Sequence, residues 1–378
     1  MAVGTQTKVI VGLIILVNAL VLFNIRRAGP GLPRGVFNRF VRCLLGSALR
    51  GPFQAQSVEP RQSKQLPRIC VSRSRGASDQ QRCRPSVPSD PLIAVCAGST
   101  TRGVPFPDET SLALFRFLFP SLARTADCGF RYLAVIGYDI GDGFFDGAAG
   151  RAKTLSWFDS EIAKPAAMRG LSMELELVKV DNKINKPGPV FTATTKAAYD
   201  RGANYIYRVN DDSEMLTPWA RSFVNALEAL GPPYGVVGPE SLNNNILVHD
   251  FTHRLHMDIF HQQYYPPSLT DWYVDDWISR VYGNNRTIRA KNCKVEHHTG
   301  AHGQRYEADT TKARSVDGLV TVGARRIAAC AIVHGAEAAA RQILTGKLDG
   351  ASATKARARD IPCSFFFFSP HVVWRRVH

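Results

Sequence analysis

The sequence predicts an α/β fold in which a mostly parallel sheet carries helices on both faces. Three observations support this prediction. Apolar, strand-like segments alternate with helix-like segments over residues 91–238. Hydrophobic residues make up 45% of the chain, which is enough to bury a substantial core. The strand-like segments are nearly continuous apolar runs, as expected for strands that are covered on both faces.

The first half of this alternation contains three strands and three helices. The strands are predicted by short apolar runs, namely "PLIAVCAGST", "FRYLAVIGYDIGDGFFD" and "MELELVKVD". The helices are predicted by longer periodic segments, namely "SLALFRFLFPSLARTA", "TLSWFDSEIAKPAAM" and "PVFTATTKAAYDRGA". Gly202 is expected to end the third helix, because glycine tolerates the left-handed conformation found just past helix ends.

The second half begins with "NYIYRVNDDSEM", residues 204–215, a strand pattern that stops on Asp211 and Asp212. A helix follows in "TPWARSFVNALEALG", with Thr217 as N-cap, Pro218 at the first helical position and Gly231 past the end. The segment "YGVVGPES" predicts a further strand.

Beyond Gly238 the alternation loosens. We expect a helix from about Asp271 to Tyr282, then the polar, glycine-containing segment "EHHTGAHGQRY". An alanine-rich helix pattern begins after about Asp309. The sequence therefore divides into a core domain at 91–310 and a helical and irregular tail at 311–378.

Positive charge lies in the flanks of the chain, and this distribution limits the partners. Residues 26–90 carry 13 Lys/Arg and 3 Asp/Glu, and residues 311–378 carry 11 and 4. The middle, 91–310, carries 22 Lys/Arg and 25 Asp/Glu. A nucleic-acid-binding domain places its basic surface on the folded part, so we expect no nucleic-acid partner.

A nearly continuous apolar run from Val9 to Ile25 predicts a transmembrane signal anchor, preceded by a short tail at 1–8. A buried core helix is the alternative. Residues 26–90, rich in Arg, Ser, Pro and Gln, predict a flexible stem. Arginines after the run favour a cytosolic main domain, whereas the sequon at Asn285 favours a lumenal one. The orientation therefore stays open.

The eight cysteines are scattered and include no C-x-x-C pair. This spacing argues against a zinc site. It allows one or two disulfides whose pairing the sequence does not reveal.

Three polar loops, at 97–103, 137–146 and 210–214, follow predicted strands. Ligands of open parallel sheets bind beyond the carboxyl ends of the strands. Carboxylates that crowd at one edge repel each other unless a cation compensates them, and hard divalent cations prefer oxygen ligands. The pair Asp211 and Asp212 is therefore predicted to hold a metal ion, and the ion a nucleotide diphosphate.

An apolar strand followed by "NDDSE" within an α/β alternation resembles the DXD-type motif of GT-A-fold glycosyltransferases. The resemblance covers 91–310 and implies a Rossmann-like GT-A fold, a nucleotide-sugar donor and bound Mn²⁺ or Mg²⁺. Asn210 departs from the motif at an often acidic position. We expect Asp212 to bind the metal with Asp211 assisting. The alternative is that the pair only caps the following helix through its dipole.

The same resemblance implies a late metal-binding histidine and a catalytic base. "HHTGAHGQRY" offers His297, His298 and His302, and we choose His298 as the metal ligand. Arg305 is expected to bind phosphate, although a surface salt bridge would also explain it.

The segment "DWYVDDWISRVYG" is expected to supply the base. We assign Asp276, with Asp275 as second choice, to deprotonate the acceptor hydroxyl. The aromatic residues beside them either stack on a sugar or belong to the core.

Earlier loops would hold the nucleoside. Thr101 and Arg102 follow the first strand, where the GT-A superfamily binds uridine. Asp139 and Asp142 follow the second strand and would accept hydrogen bonds from the base or ribose, unless this loop is an ordinary turn.

The sequence thus predicts a metal-dependent glycosyltransferase that moves a sugar from a nucleotide sugar, expected to be UDP-linked, to a hydroxyl of a glycan, glycoprotein or glycolipid. The layout resembles single-pass Golgi or endoplasmic reticulum enzymes with a lumenal catalytic domain. Two alternatives remain: a nucleotidyltransferase of similar fold, and a non-catalytic protein that binds a glycan or a partner.

Overall fold

The structure, a computed structural model, describes residues 82–240, 246–302 and 305–346. The predicted membrane span at 9–25, nearly all of the stem and the end of the tail lie outside these residues. Within the described part of the chain, no helix is long and apolar enough to cross a membrane.

The fold is built on an eight-stranded mixed sheet with the order β3-β2-β1-β4-β7-β6-β8-β5. The strands are β1 Leu92–Gly98, β2 Arg131–Asp139, β3 Ser172–Val180, β4 Tyr205–Arg208, β5 Ser213–Met215, β6 Val236–Glu240, β7 Asp250–His253 and β8 Thr287–His297. Strands β7 and β5 run against their neighbours, and the others run in one direction. The predicted α/β class with a mostly parallel sheet is confirmed.

The helices follow the strands in the predicted alternation. They are α1 Phe119–Thr125, α2 Ala148–Phe158, α3 Lys164–Met168, α4 Pro187–Asp200, α5 Ala220–Leu230, α6 Leu255–Ile259, α7 Val274–Val281, α8 Ala313–Val333 and α9 Glu337–Thr345. Single π-helical turns lead into α1 and α3, at Leu114–Leu118 and Asp159–Ala163.

Helices cover both faces of the sheet, as the sequence predicts. Along β1, Ala94 and Cys96 belong to one buried cluster, and Ile93, Val95 and Ala97 belong to the other. Successive strand residues point to opposite faces, so each face contributes to its own core. The first cluster includes side chains of α4 and of α6 to α9, and the second includes side chains of α1 to α3 and α5. The helices at 313–345 therefore pack on the same core as the sheet.

Local details differ from the sequence predictions at several places, and three of them are informative. Helix α5 begins at Ala220, and the hydroxyl of Thr217 accepts a hydrogen bond from the Lys294 amide at 2.9 Å instead of capping the helix. Helix α7 begins at Val274, because Tyr273 has a left-handed backbone with φ of 70°. The sequence does not predict strand β8, since its polar residues hide the alternation.

Cys83 and Cys128 form a disulfide that joins the segment before β1 to the loop after α1. Cys96 and Cys293 are buried in the core.

Helix α4 packs closely on β2 at Gly137. A Cβ atom at this position would lie 2.6 Å from Val190 Cγ1 and 2.7 Å from Thr194 Cγ2. Real Cβ atoms do not approach other carbons so closely, so this glycine sets the distance between α4 and the sheet.

We predict that Gly137→Ala lowers the free energy of unfolding by about 1–3 kcal/mol, because α4 must move away from β2. Gly318→Ala is the matched control. Gly318 lies on α8, and a Cβ added there would meet no neighbouring side chain within 4 Å, so the methyl group should stabilise the protein by about 0.5–1 kcal/mol. Chemical denaturation of the two variants measures both effects. Equal stabilities would contradict the close packing of α4.

Candidate functional site

A cavity of about 420 Å³ lies at the carboxyl ends of β1, β2 and β4. The first group of lining residues comes from the loops after these strands: Ser99, Thr100, Arg102, Asp139, Asn210, Asp211 and Asp212. The second group comes from later in the chain or from around the start of α4, and includes Asn182, Lys186, Trp272, His297, His302, Arg305 and Tyr306. The cavity therefore lies where ligands of open α/β sheets bind.

Asp211 is buried, and its charge is compensated inside the protein. Both Nη atoms of Arg305 donate to its carboxylate, with distances of 3.0 Å. The Ser99 hydroxyl donates to Oδ2 at 2.8 Å. Burial lowers the pKa of Arg305, but Asp211 outweighs this effect, and the net pKa lies above its usual value. The sequence predicts Arg305 as a phosphate ligand, and in the structure its partner is this carboxylate.

Asp212 is also buried and is less completely paired. Its Oδ1 lies 3.0 Å from His297 Nε2, and Arg305 is 3.5 Å from Oδ2. Burial raises the pKa of Asp212, but His297 and Arg305 outweigh burial, and the net pKa is below its usual value. No described donor has hydrogen-bond geometry toward Oδ1, which is inaccessible to solvent.

The register of β5 against β8 brings His297 to this position. Ser213 pairs with His297, and the His298 amide donates to the Asp212 carbonyl at 2.9 Å. His297 lines the cavity. The next residue of a strand points to the opposite face, which explains why His298 does not join it there.

His298, the histidine chosen from the sequence, lies outside the cavity. Its ring stacks on Phe117 with centroids 3.9 Å apart, and its nitrogens lie 3.0 Å from Glu214 and 3.8 Å from Glu296. Arg124 also pairs with Glu214 at 2.9 Å. Among the described residues, this Glu214–Glu296–His298 group has three metal-ligand atoms within 4.8 Å of one another. Arg124 thus already compensates the charge of Glu214 in this group.

The cavity itself offers two well-placed atoms for a divalent ion. In octahedral coordination with bonds of about 2.1 Å, neighbouring ligand atoms lie about 3 Å apart. Asp212 Oδ1 and His297 Nε2 have this spacing, and Oδ1 is buried, with no partner of hydrogen-bond geometry among the described residues. The donor set of one carboxylate and one imidazole fits Mn²⁺ better than Mg²⁺, because Mg²⁺ prefers oxygen.

His302 also lines the cavity. Burial is the main cause that lowers the pKa of His302 below its usual value, and the positive charge of Arg305 lowers it further. The ring is therefore neutral near pH 7. Neither ring nitrogen has a hydrogen-bond partner among the described residues. His302 is therefore available to a ligand in the cavity.

The predicted nucleoside residues separate into two groups. Arg102 donates to Asp139 at 2.6 Å and to Asn185 at 2.9 Å, and both Arg102 and Asp139 line the cavity. Asn182 adds a hydrogen bond of 2.9 Å to Asp139. These residues form a polar wall at the end of β2.

Asp142 and Thr101 lie in the same region but have a structural role instead of lining the cavity. Asp142 is nearly buried and accepts from the Thr101 amide at 2.8 Å and from the amides of Phe144 and Phe145 at 3.1 and 3.0 Å. Neither Asp142 nor Thr101 is among the lining residues. Together they fix the loops after β1 and β2 to each other.

Asp275 and Asp276 lie in the first turn of α7, and neither is among the cavity-lining residues. Asp275 pairs with Arg208, a buried residue that also contacts Asp250 at 2.9 Å. Burial raises the pKa of Asp275 to about 6, against the opposing effect of Arg208. This pKa suits a base near neutral pH. The catalytic role of both residues stays a prediction.

Side chains, rather than a helix terminus, supply positive charge to the cavity. Helix α4 begins at its wall with the sequence "KPGPV". Two of its first amides are absent because they belong to prolines, and Gly188 donates to the Thr270 carbonyl at 2.6 Å. The anion-binding capacity of this helix end is therefore small, which leaves Arg102, Lys186 and Arg305.

Sequence reasoning missed several lining residues, among them Ser99, Lys186 and Tyr306. The position of Ser99, directly after the apolar run of β1, could have indicated it. The other two reach the cavity through contacts between distant segments, such as the pair of Lys186 with Asp271 at 3.1 Å. Such contacts leave no local pattern in the sequence.

The chain matches no known family profile and no curated protein. Among solved structures it is similar to S. aureus TarS. A TarS 1–349 complex with UDP has a TM-score of 0.37 at 10% identity, covering 62% of this chain and 65% of that one. A TarS 1–349 complex with UDP-GlcNAc has a TM-score of 0.35 at 10% identity, covering 62% and 66%. The chain thus spans slightly less than two thirds of these TarS chains.

We predict that Arg305→Gln lowers the free energy of unfolding by about 3 kcal/mol, because Asp211 is left buried with a single neutral donor. Arg280→Gln is the matched control. Its pair with Asp317 is 2.6 Å long, but the two side chains are 48% and 79% exposed, so the change should stay within about 1 kcal/mol. Urea denaturation at pH 7 compares them. Equal losses would show that the Arg305 pair contributes no more than a surface pair.

Proposed function

We propose that this protein is a metal-dependent glycosyltransferase that moves a sugar from a nucleotide sugar, namely a UDP-sugar, to an acceptor hydroxyl. One observation supports the proposal most strongly. Two adjacent buried carboxylates, Asp211 and Asp212, face a cavity at the carboxyl edge of the sheet, beside a histidine and an arginine. Arg305 already compensates Asp211, whereas Asp212 is less completely paired, so the buried carboxylate of Asp212 favours the binding of a cation.

The charge balance of the site supports the binding of a cation together with a diphosphate. Asp211 and Asp212 carry two negative charges, and Arg305 compensates one of them. A divalent ion overcompensates the remaining negative charge, and the excess positive charge attracts a diphosphate. In this proposal Asp212 and His297 hold Mn²⁺ or Mg²⁺, which would neutralise charge on the leaving diphosphate.

The chain's own residues would bind and orient the donor. The guanidinium of Arg305 and the ammonium of Lys186 lie in the cavity wall and would donate to phosphate oxygens. The wall formed by Arg102, Asp139 and Asn182 would bind the nucleoside, since it combines donors and acceptors at the end of β2. Thr101 and Asp142 would support this wall from behind.

A metal-independent form of the same reaction is the second candidate. The three hydrogen bonds of Arg305 to Asp211 favour it, because a guanidinium already stands beside the acidic pair. In that case Arg305 itself would supply the positive charge that stabilises the leaving diphosphate.

We predict that UDP and Mn²⁺ together raise the melting temperature of the full-length protein, whereas each alone has little effect, because each ligand completes the binding site of the other. Asp212→Asn should abolish this shift, and His297→Ala should weaken it. His298→Ala is the matched control and should leave it unchanged, since His298 lies outside the cavity. Thermal-shift titrations measure all four proteins.

Three results would change this picture. An equal shift with UDP alone would favour the metal-independent form. A shift that needs His298 rather than His297 would contradict the proposed metal ligands. A larger shift with GDP than with UDP would replace the proposed nucleotide. Hydrolysis of UDP- and GDP-sugars, measured with and without Mn²⁺, then tests catalysis directly.

We further propose that the domain works in the lumen of the Golgi or endoplasmic reticulum, with 9–25 as a membrane anchor. The Cys83–Cys128 disulfide supports this, because disulfides persist in oxidising compartments. Asn285 of the sequon is exposed in a turn at Asn284–Arg286, so an oligosaccharide could be attached there.

We predict that the protein expressed in eukaryotic cells carries a glycosidase-sensitive mass on Asn285, and that Asn285→Gln removes it. Electrophoretic mobility before and after glycosidase treatment measures this. Asn284→Gln is the neighbouring control and should keep the mass. Accessibility of the main domain to a cytosolic protease would contradict the lumenal location.

A further inference from the structure

Trp272 is exposed at the wall of the cavity. It keeps 52% of its surface accessible, whereas Trp219 and Trp277 are each 1% exposed in the core. An indole exposes a large apolar area, and single exposed aromatics need no explanation unless they lie in a binding cavity. Trp272 lines the cavity that also contains the acidic pair.

The backbone around Trp272 is held in a costly conformation. Tyr273 has φ of 70°, in the left-handed region that bulky residues rarely adopt. Asp271 on the other side is buried and accepts a hydrogen bond from the Trp272 amide at 2.6 Å. The segment is therefore fixed by specific contacts, and these contacts hold Trp272 at the cavity wall.

The same carboxylate fixes a second aromatic residue. Asp271 also accepts from the Asp309 amide at 2.8 Å and pairs with Lys186 at 3.1 Å. In the sequence, Tyr306 stands between Arg305 and Asp309. Arg305 is held by Asp211, and Asp309 is held by Asp271. Tyr306 lines the cavity, and Lys186 Nζ lies 5.8 Å from the centre of its ring. One buried carboxylate thus positions both aromatic segments.

We propose that Trp272 and Tyr306 form a stacking platform for a pyranose ring of a carbohydrate acceptor. This inference rests on the proposed function, which fixes where the donor binds. There the acidic pair binds the diphosphate, and the wall of Arg102 and Asp139 binds the nucleoside. The part of the cavity wall that contains Trp272 and Tyr306 therefore remains for the acceptor.

The chemistry of the surroundings favours a carbohydrate over a lipid. Aromatic rings bind the apolar C–H face of a sugar, and neighbouring polar groups bind its hydroxyls. His302 and Thr299 line the same cavity and offer such polar groups, beside the charged side chains of Lys186 and Arg305. A lipid chain would instead require a continuous apolar groove, and these charged residues interrupt one.

The test uses the full-length protein and a set of disaccharide probes: cellobiose, lactose, chitobiose and mannobiose. Binding is measured by saturation-transfer NMR and by tryptophan fluorescence. We expect at least one probe to bind, Trp272→Ala to weaken it about tenfold or more, and Trp272→Phe to retain part of the affinity. Tyr306→Ala should weaken it too. Phe106→Ala is the matched control, because Phe106 is 88% exposed and does not line the cavity.

The thermal shift with UDP and Mn²⁺, measured on the same variants, separates this proposal from the proposed function. An unchanged nucleotide response in Trp272→Ala is expected. Loss of that response would assign Trp272 to the nucleobase and overturn the platform. Failure of all probes to bind the unaltered protein would also overturn it. If sugar binding depends on Trp272 but UDP and Mn²⁺ give no thermal shift, the stacking platform is supported and the transferase proposal is contradicted.

Discussion

The ion pair between Arg305 and Asp211 is the interaction on which the cavity depends. It joins the end of β4 to a segment 94 residues later in the chain. Without it, strand β4 would place two adjacent carboxylates in a buried position with no compensating cation, and the desolvation cost would be several kcal/mol. The pair therefore stabilises the acidic end of the strand and also defines one wall of the cavity.

A second buried carboxylate, Asp271, also joins distant segments of the chain. Asp271 connects the start of α4, the turn before α7 and the segment after Arg305 through Lys186 and two backbone amides. A third charged group, Arg208 with Asp250 and Asp275, lies behind Phe191 of the wall, and the guanidinium is 5.1 Å from that ring. Such networks are costly when partly satisfied and rigid when complete. The three networks thus preorganise a polar cavity, which is what binding of a charged donor requires.

Much of the fold was predictable because it depends on local pattern. The apolar runs of β1 and β2 and the glycine ends at Gly202 and Gly231 are short-range features, and the structure has them where they were predicted. Strand β8 was not predicted, because its buried residues Ala290, Cys293 and Val295 are separated by lysines and an asparagine. The carboxylates Asp211 and Asp212 were found for the same local reason: they end an apolar strand.

The sequence by itself determined the α/β alternation, the placement of the acidic pair at a strand end and the list of candidate histidines, since each follows from spacing along the chain. Only the tertiary structure decided which of the neighbouring histidines His297 and His298 faces the cavity. The pairing of β5 with β8 selects His297, and the two-residue period of a strand turns His298 toward Phe117 and Glu214. It also decided that Arg305 compensates Asp211 and that Trp272 is exposed while Trp277 is buried. These outcomes depend on contacts between segments far apart in sequence, whose geometry no local pattern records.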